Sequence, residues 1–195
     1  MKINVGCGWE CREGWINVDN TQKPQRANYP ITHMDATEPW PYPKNTFDAV
    51  LSEHMIEHLP EEKGLAFLKH AYFCLKDEGV IRISCPNRDF FEQLVLPENK
   101  NHPFVQAYCE KIFKRPARDG DNVLIAKRTL NEQGHVWVPR PEQLKEQVIK
   151  AGFRFVQIVE FGKSNFEEFD GIELEEGFGA DIRKWESVCV EGVKV

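Results

Sequence analysis

The chain has 195 residues, 41% of them hydrophobic, and a formal net charge of −6. That length suits one domain, able to bury roughly 70% of its unfolded surface without disulfides or a structural metal, and the acidic balance gives no general attraction to phosphate backbones or anionic membranes. Six cysteines form no C-x-x-C pair, the first residues lack a secretory core and no apolar run approaches the ~18 residues of a membrane span, so a reduced, cytoplasmic protein is expected.

In chain order, the apolar runs at 3–5, 16–18, 31–34, 47–52 and 80–84 read as strands, mostly without polar alternation, as in a sheet covered on both faces. Pro60, Glu61 and Glu62 open a helix that runs to Leu75, with Leu65, Leu68, Tyr72 and Leu75 at helical spacing and Gly79 beyond it. The stretch 97–130 is an insertion, with 102–114 read as helix and 118–122 as turn. A further helix spans 141–151, with Leu144 and Val148 on one face and Gly152 as its stop. Residues 153–161 and 185–195 read as two more strands, separated by an acidic loop with room for a short helix. The alternation argues for a mostly parallel α/β sheet with right-handed crossovers. The stretches 9–15 and 20–30 are too short for ordinary crossover helices, so the first crossovers are expected to be cut to about a turn or lost. The basic residues Lys111, Lys114, Arg115, Arg118, Lys127 and Arg128 and the acidic residues of 167–181 read as solvated surface.

Open parallel sheets bind ligands beyond the carboxyl ends of their strands. Gly6 and Gly8 follow the first strand, where a backbone without side chains can turn sharply and approach a ligand. Asp19 ends the second strand, placed to accept ribose hydroxyls. Asp35 ends the third, placed to accept from an adenine amine. A bend and two carboxylates at three successive strand ends describe a pocket for an adenosine-bearing ligand.

These residues resemble the class I S-adenosylmethionine-dependent methyltransferases, in particular the compact type 11 group, over residues 3–85. Asn4-Val5-Gly6-Cys7-Gly8 is similar to that family's first motif. Asp35-Ala36 followed by Pro41-Tyr42-Pro43-Lys44-Asn45-Thr46-Phe47-Asp48-Ala49-Val50 is similar to its D…PFPDNSFDAV segment. Ser52 to Leu59 resembles its S-x-V-L-E-H-L stretch, Leu75 to Val80 its LKPGG turn, and Pro86-Asn87 its closing dipeptide. The resemblance implies a Rossmann-like, mostly parallel seven-stranded sheet with an antiparallel last strand in one domain over 1–195, and S-adenosyl-L-methionine as cofactor. It implies that Gly6, Cys7 and Gly8 face the methionine part, that Asp19 with Asn20 takes the ribose, that Asp35 and Ala36 sit at adenine, and that Ser52 and Glu53 lie beside the sulfonium and the methyl acceptor. Asn4 stands where the family often carries an acid.

Methyl transfer to a hydroxyl or amine also releases a proton, which a positioned base can take. If residues 53–58 are helical, His54, Glu57 and His58 share one face. His54, His58 and the remote His135 are the candidate catalytic residues, since histidine titrates near neutrality. Trp9, Trp40 and Trp137 are candidates for the pocket wall or for packing. The expected acceptor is a small molecule or a glycan-type group. No metal is assigned, no nucleic acid or membrane is expected as partner, and the oligomeric state is left open. Two other readings stand beside this one. In the first, His54, Glu57, His58 and His135 hold a divalent ion, as similar segments do in small-RNA 2′-O-methyltransferases, with His54 in place of a Glu. In the second, the chain is a non-catalytic S-adenosylmethionine-binding subunit.

Overall fold

The computed structural model describes residues 1–21, 29–174 and 179–195. The strands β1 (Lys2–Val5), β2 (Trp15–Asp19), β3 (Ile31–His33), β4 (Phe47–Glu53), β5 (Leu75–Pro86), β6 (Arg154–Val159) and β7 (Ser187–Val193) join in one sheet, ordered β3-β2-β1-β4-β5-β7-β6. The pairs β1–β2, β1–β4, β2–β3 and β4–β5 are parallel, and β7 runs antiparallel to both β5 and β6. This is the Rossmann-like, mostly parallel seven-stranded sheet with an antiparallel last strand that the resemblance implies. The chain steps outward from β1 to β3 and then returns to the other side of β1 with β4. That reversal opens the crevice in which doubly wound sheets bind ligands.

Alternation along the strands sorts the core into two faces. On one face Val50, Ile81 and Ile83 pack with Phe67 and Leu68 of α1 (Glu61–Cys74) and with Leu144 and Val148 of α5 (Pro141–Lys150). On the other face Ala49, Leu51 and Val80 meet Phe169 and Ile172, so a loop rather than a helix covers that side. The cause is the short first crossover: residues 6–14 form turns with no helix. Buried amides hold that loop instead. The Asn4 side chain donates to the Glu10 carbonyl at 2.9 Å and to Asn17 Oδ1 at 3.1 Å, and Asn17 bridges to both the amide and the carbonyl of Arg12. A carboxylate at position 4 accepts only, which is a physical reason for Asn there.

The insertion packs with α2 and α6 into a small helical cap with its own core. Phe91 and Leu94 of α2 (Arg88–Leu94), Phe104 and Val105 of α3 (Pro103–Tyr108), Ile125 and Ala126 of α4 (Asp121–Asn131) and Ile182 of α6 (Ala180–Glu186) are all buried together. Each buried phenylalanine contributes about 1.5–3 kcal/mol relative to exposure.

Several boundaries differ from the sequence reading. α3 ends at Tyr108 and passes into a wider turn, Cys109–Phe113, closed by Lys114 at φ 55°. The turn at 118–122 ends sooner, because Gly120 at φ 84° starts α4 at Asp121. Trp185 belongs to α6 and not to the last strand. β5 is longer than expected at both ends: Leu75 already pairs with Phe47 of β4, and β7 pairs with it on to Pro86. Most of the 20–30 crossover and residues 175–178 of the acidic stretch lie outside the described residues.

Candidate cofactor and acceptor site

The apolar run of β1 breaks at Gly6, whose φ of 71° is a left-handed value that glycine adopts without cost. A Cβ there would collide with Cβ and Cγ of Met55. Gly8, at φ 52°, faces open space. Its amide donates to Asp19 Oδ2 at 2.8 Å, tying the turn to the end of β2.

Both acidic strand ends are set by the same local device. Thr21 donates to Asp19 Oδ1 from its backbone amide at 2.7 Å and from its hydroxyl at 2.6 Å. Thr37 repeats this on Asp35 Oδ1, at 2.9 and 2.8 Å. These hydrogen bonds, with a small opposing effect of burial, hold the Asp35 carboxyl below the usual aspartate range. A carboxylate has about four acceptor sites. Asp19 uses three of them and keeps one for a ribose hydroxyl, while Asp35 keeps Oδ2. Asp-x-Thr occurs twice in the sequence, at 19–21 and 35–37, and that repeat is the signal for both threonines. The Trp40 indole donates to the Ala36 carbonyl at 3.0 Å and fixes the turn that carries Asp35.

These elements enclose a cleft of about 580 Å³ lined by Gly6, Gly8, Asp19, Asn20, Asp35 and Ala36, with Trp9, Met55 and His58 on its rim. Its size and donor set fit a nucleoside cofactor. Cys7, Ser52 and Glu53 do not line it. The Cys7 thiol lies 3.9 Å from that of Cys11, and burial pushes its pKa well up. Ser52 is buried inside β4. Glu53 falls on the face it shares with Ala49 and Leu51, turned away from the cleft by strand alternation, and pairs with Arg12 at 2.5 Å. Burial raises the Glu53 pKa against the pull of Arg12. Of the tryptophans, Trp9 is 62% exposed at the cleft, Trp40 is core and Trp137 packs on the core edge.

A second cleft of about 290 Å³ adjoins the first, and His54 and His58 line both. Its other walls include Tyr108 and Thr129 from the insertion and Arg183 and Glu186 from α6. Residues 53–58 do not form one continuous helix. His54 takes a left-handed φ of 49°, and a single 3-10 turn spans Ile56–His58. The three side chains nevertheless converge, and His135 joins them, its ring centroid 4.8 Å from that of His58. The Glu57 carbonyl accepts from the amides of Val136 and Trp137 at 2.8 and 3.1 Å, which brings this distant segment to the site. His54 has both ring nitrogens engaged, Nε2 with Ser187 Oγ at 3.0 Å and Nδ1 facing Glu57 at 3.5 Å. In His58 and His135, Nδ1 meets the carbonyls of Gly134 and Thr129, at 3.1 and 2.5 Å. A carbonyl only accepts, so in the neutral form of either ring Nδ1 carries the proton and Nε2 the lone pair. Burial lowers the His135 pKa, which favours its neutral form.

The nucleoside-sized cleft at the switch point, the strand order and the antiparallel β7 together fit a class I S-adenosylmethionine-dependent methyltransferase. The chain belongs to the methyltransferase-domain family, whose pattern matches residues 9–158. Three solved structures show the likeness of fold. A SAM-dependent methyltransferase from Archaeoglobus fulgidus is 21% identical with a TM-score of 0.59, over 99% of this chain and 85% of its own. An S-adenosylmethionine-dependent methyltransferase from Mesorhizobium loti is 14% identical with a TM-score of 0.57, over 98% and 90%. A SAM-dependent methyltransferase from Thermotoga maritima, described as a possible histamine N-methyltransferase, is 17% identical with a TM-score of 0.54, over 100% and 82%. No curated protein matches the sequence.

Proposed function

We propose that this methyltransferase alkylates an oxygen or nitrogen of a small-molecule or glycan-type acceptor held in the second cleft. The observation that carries this reading is the pair of clefts meeting at His54 and His58, one of nucleoside size and one of about 290 Å³. The smaller is at the low end for a small ligand. The charge pattern supports it too. In the insertion Lys111 pairs with Asp181, Arg115 with Asp121 and Lys127 with Glu132, which neutralises much of the basic cluster that a polynucleotide would need.

S-adenosylmethionine supplies a methyl group on a positively charged sulfur, already activated for in-line displacement. What remains for this chain is alignment, which supplies much of the rate through proximity. Gly6 and Gly8 let the backbone come close, while Asp19 and Asp35 fix the nucleoside. Tyr108, Thr129 and Arg183 offer polar contacts to the acceptor. Activation of its O–H or N–H falls to the Nε2 lone pairs of His58 and His135, with His54 as a positioning residue beside Glu57.

Incubating the protein with methyl-labelled S-adenosylmethionine and a metabolite and oligosaccharide extract tests this. Label is expected in the small-molecule or glycan fraction, and it should vanish with Asp19→Ala. Label only in protein or RNA, or no transfer by folded protein that binds the cofactor, overturns the reading.

A further inference from the structure

We infer that Glu57, His58 and His135 bind one divalent first-row transition cation at the junction of the two clefts. One ligand atom from each residue lies within 4.8 Å of the others. Ligands ~2.1 Å from one ion stand about 3–3.4 Å apart, so binding draws them inward by roughly 1 Å. Both histidines line the mouth of the cleft, His58 exposed and His135 half-buried.

The strongest observation is Glu57. Its side chain is 1% exposed, and neither carboxylate oxygen has a hydrogen-bond partner among the described residues. The side-chain nitrogen that faces it is His54 Nδ1 at 3.5 Å, too long for a good hydrogen bond. A buried carboxylate without a hydrogen bond is costly unless something pairs closely with it, and an ion between Glu57 and the two imidazoles meets that need more closely than His54 does.

The rings are also prepared as ligands. Metal-bound histidines typically give their other N–H to a carbonyl or carboxylate, which fixes tautomer and orientation. Gly134 and Thr129 carbonyls do this for His58 and His135. The two amides caught by the Glu57 carbonyl lock His135's segment to the residue that supplies the third ligand. Two imidazoles and one carboxylate suit zinc and its first-row neighbours rather than magnesium or calcium. Three protein ligands leave coordination positions open, as in catalytic sites.

The role of the ion rests on the reading of the second cleft as the acceptor site. An acceptor hydroxyl bound at an open position loses its proton to solvent more readily. Its oxygen lone pair then forms the new C–O bond as the C–S pair passes to sulfur, leaving S-adenosylhomocysteine. With the ion bound, the Nε2 lone pairs of His58 and His135 would be its ligands, so the ion and solvent would replace the two imidazoles as the means of deprotonating the acceptor.

The test is a titration of full-length, chelator-stripped protein with Co²⁺, read by its visible d–d absorption and by metal analysis after dialysis. One equivalent is expected, bound at about micromolar affinity or tighter. His135→Ala and His58→Ala should each weaken it by at least ~100-fold, beyond what loss of an outer-shell partner costs. Glu57→Gln should do the same if it folds, and the two histidine variants carry the test if it does not. No absorption with wild-type protein, or affinity unchanged in His135→Ala, overturns the site. The titration needs neither acceptor nor cofactor. Labelled small molecules without bound metal would therefore sink this inference alone, and bound metal with no small-molecule transfer would sink the acceptor reading alone.

Discussion

Gly6 carries the tightest constraint in the cofactor cleft. Its φ of 71° costs an L-residue roughly 1–2 kcal/mol, and any Cβ meets the stem of Met55, which itself lines the cleft. Relief of that clash pushes Met55 into the space the cofactor needs. Gly6→Ala should therefore lower S-adenosylmethionine affinity by at least about tenfold, corresponding to ~1.4 kcal/mol, while the melting temperature falls only modestly. Calorimetry on the two proteins measures this, and equal affinities would show that the backbone at Gly6 does not shape the cleft. Gly8→Ala is the comparison: no protein atom opposes its Cβ, so its loss of affinity reports the φ of 52° and the intrusion of a methyl into the cleft itself, without a displaced Met55.

At the level of elements, the insertion depends on how α3 is joined to α4. Asp121 opens α4 and is 6% exposed; it accepts two hydrogen bonds from Arg115, at 2.7 and 2.8 Å, and one from the Arg118 amide at 2.7 Å. The Arg115 guanidinium first, then the Arg118 amide and the Cys109 thiol, hold its carboxyl well below the usual aspartate range, against the effect of burial. The unfolded chain therefore binds the proton more readily than the folded one. The stabilisation is complete above the ordinary aspartate value of about 3.9 and is lost progressively as pH falls below it. Asp121→Asn should destabilise the insertion at neutral pH, and its gap from wild type should close in acid. Trp185, whose ring lies 5.1 Å from that of His102, reports on this region in urea titrations followed by fluorescence. A gap that is constant with pH would refute the assignment. The insertion was also the part least legible in the sequence. The strand ends could be read because apolar runs stop at Gly6, Asp19 and Asp35. α6 has only one fully apolar inward residue, Ile182, among charges, so it shows no periodic stripe. The convergence of Glu57 with His135 depends on a left-handed His54 and on backbone bonds to Val136 and Trp137, and neither leaves a local pattern.

For the whole molecule, the lost first crossover leaves one face of the sheet to a loop and an ionic network. Arg82 of β5 is fully buried on that face and pairs with Glu173 at 2.5 and 2.9 Å and with Glu191 of β7 at 2.5 Å. It also donates to the Lys163 carbonyl at 3.0 Å, so one guanidinium ties β5, β7 and the 160–174 loop together. Glu173 in turn accepts from the Gly162 amide at 3.0 Å. Such a network is weak proof of net stability, because desolvation of the charges offsets much of their attraction, but removing one partner leaves uncompensated charge. Arg82→Met strands two carboxylates in the interior and should destabilise the protein by about 3–5 kcal/mol. Replacing Arg82, Glu173 and Glu191 together by apolar residues of similar volume should recover most of that loss. Urea unfolding of both variants against wild type decides it. If Arg82→Met alone has wild-type stability, the loop is held by Phe169 and Ile172 packing on Ala49, Leu51 and Val80, and the charges only select its position.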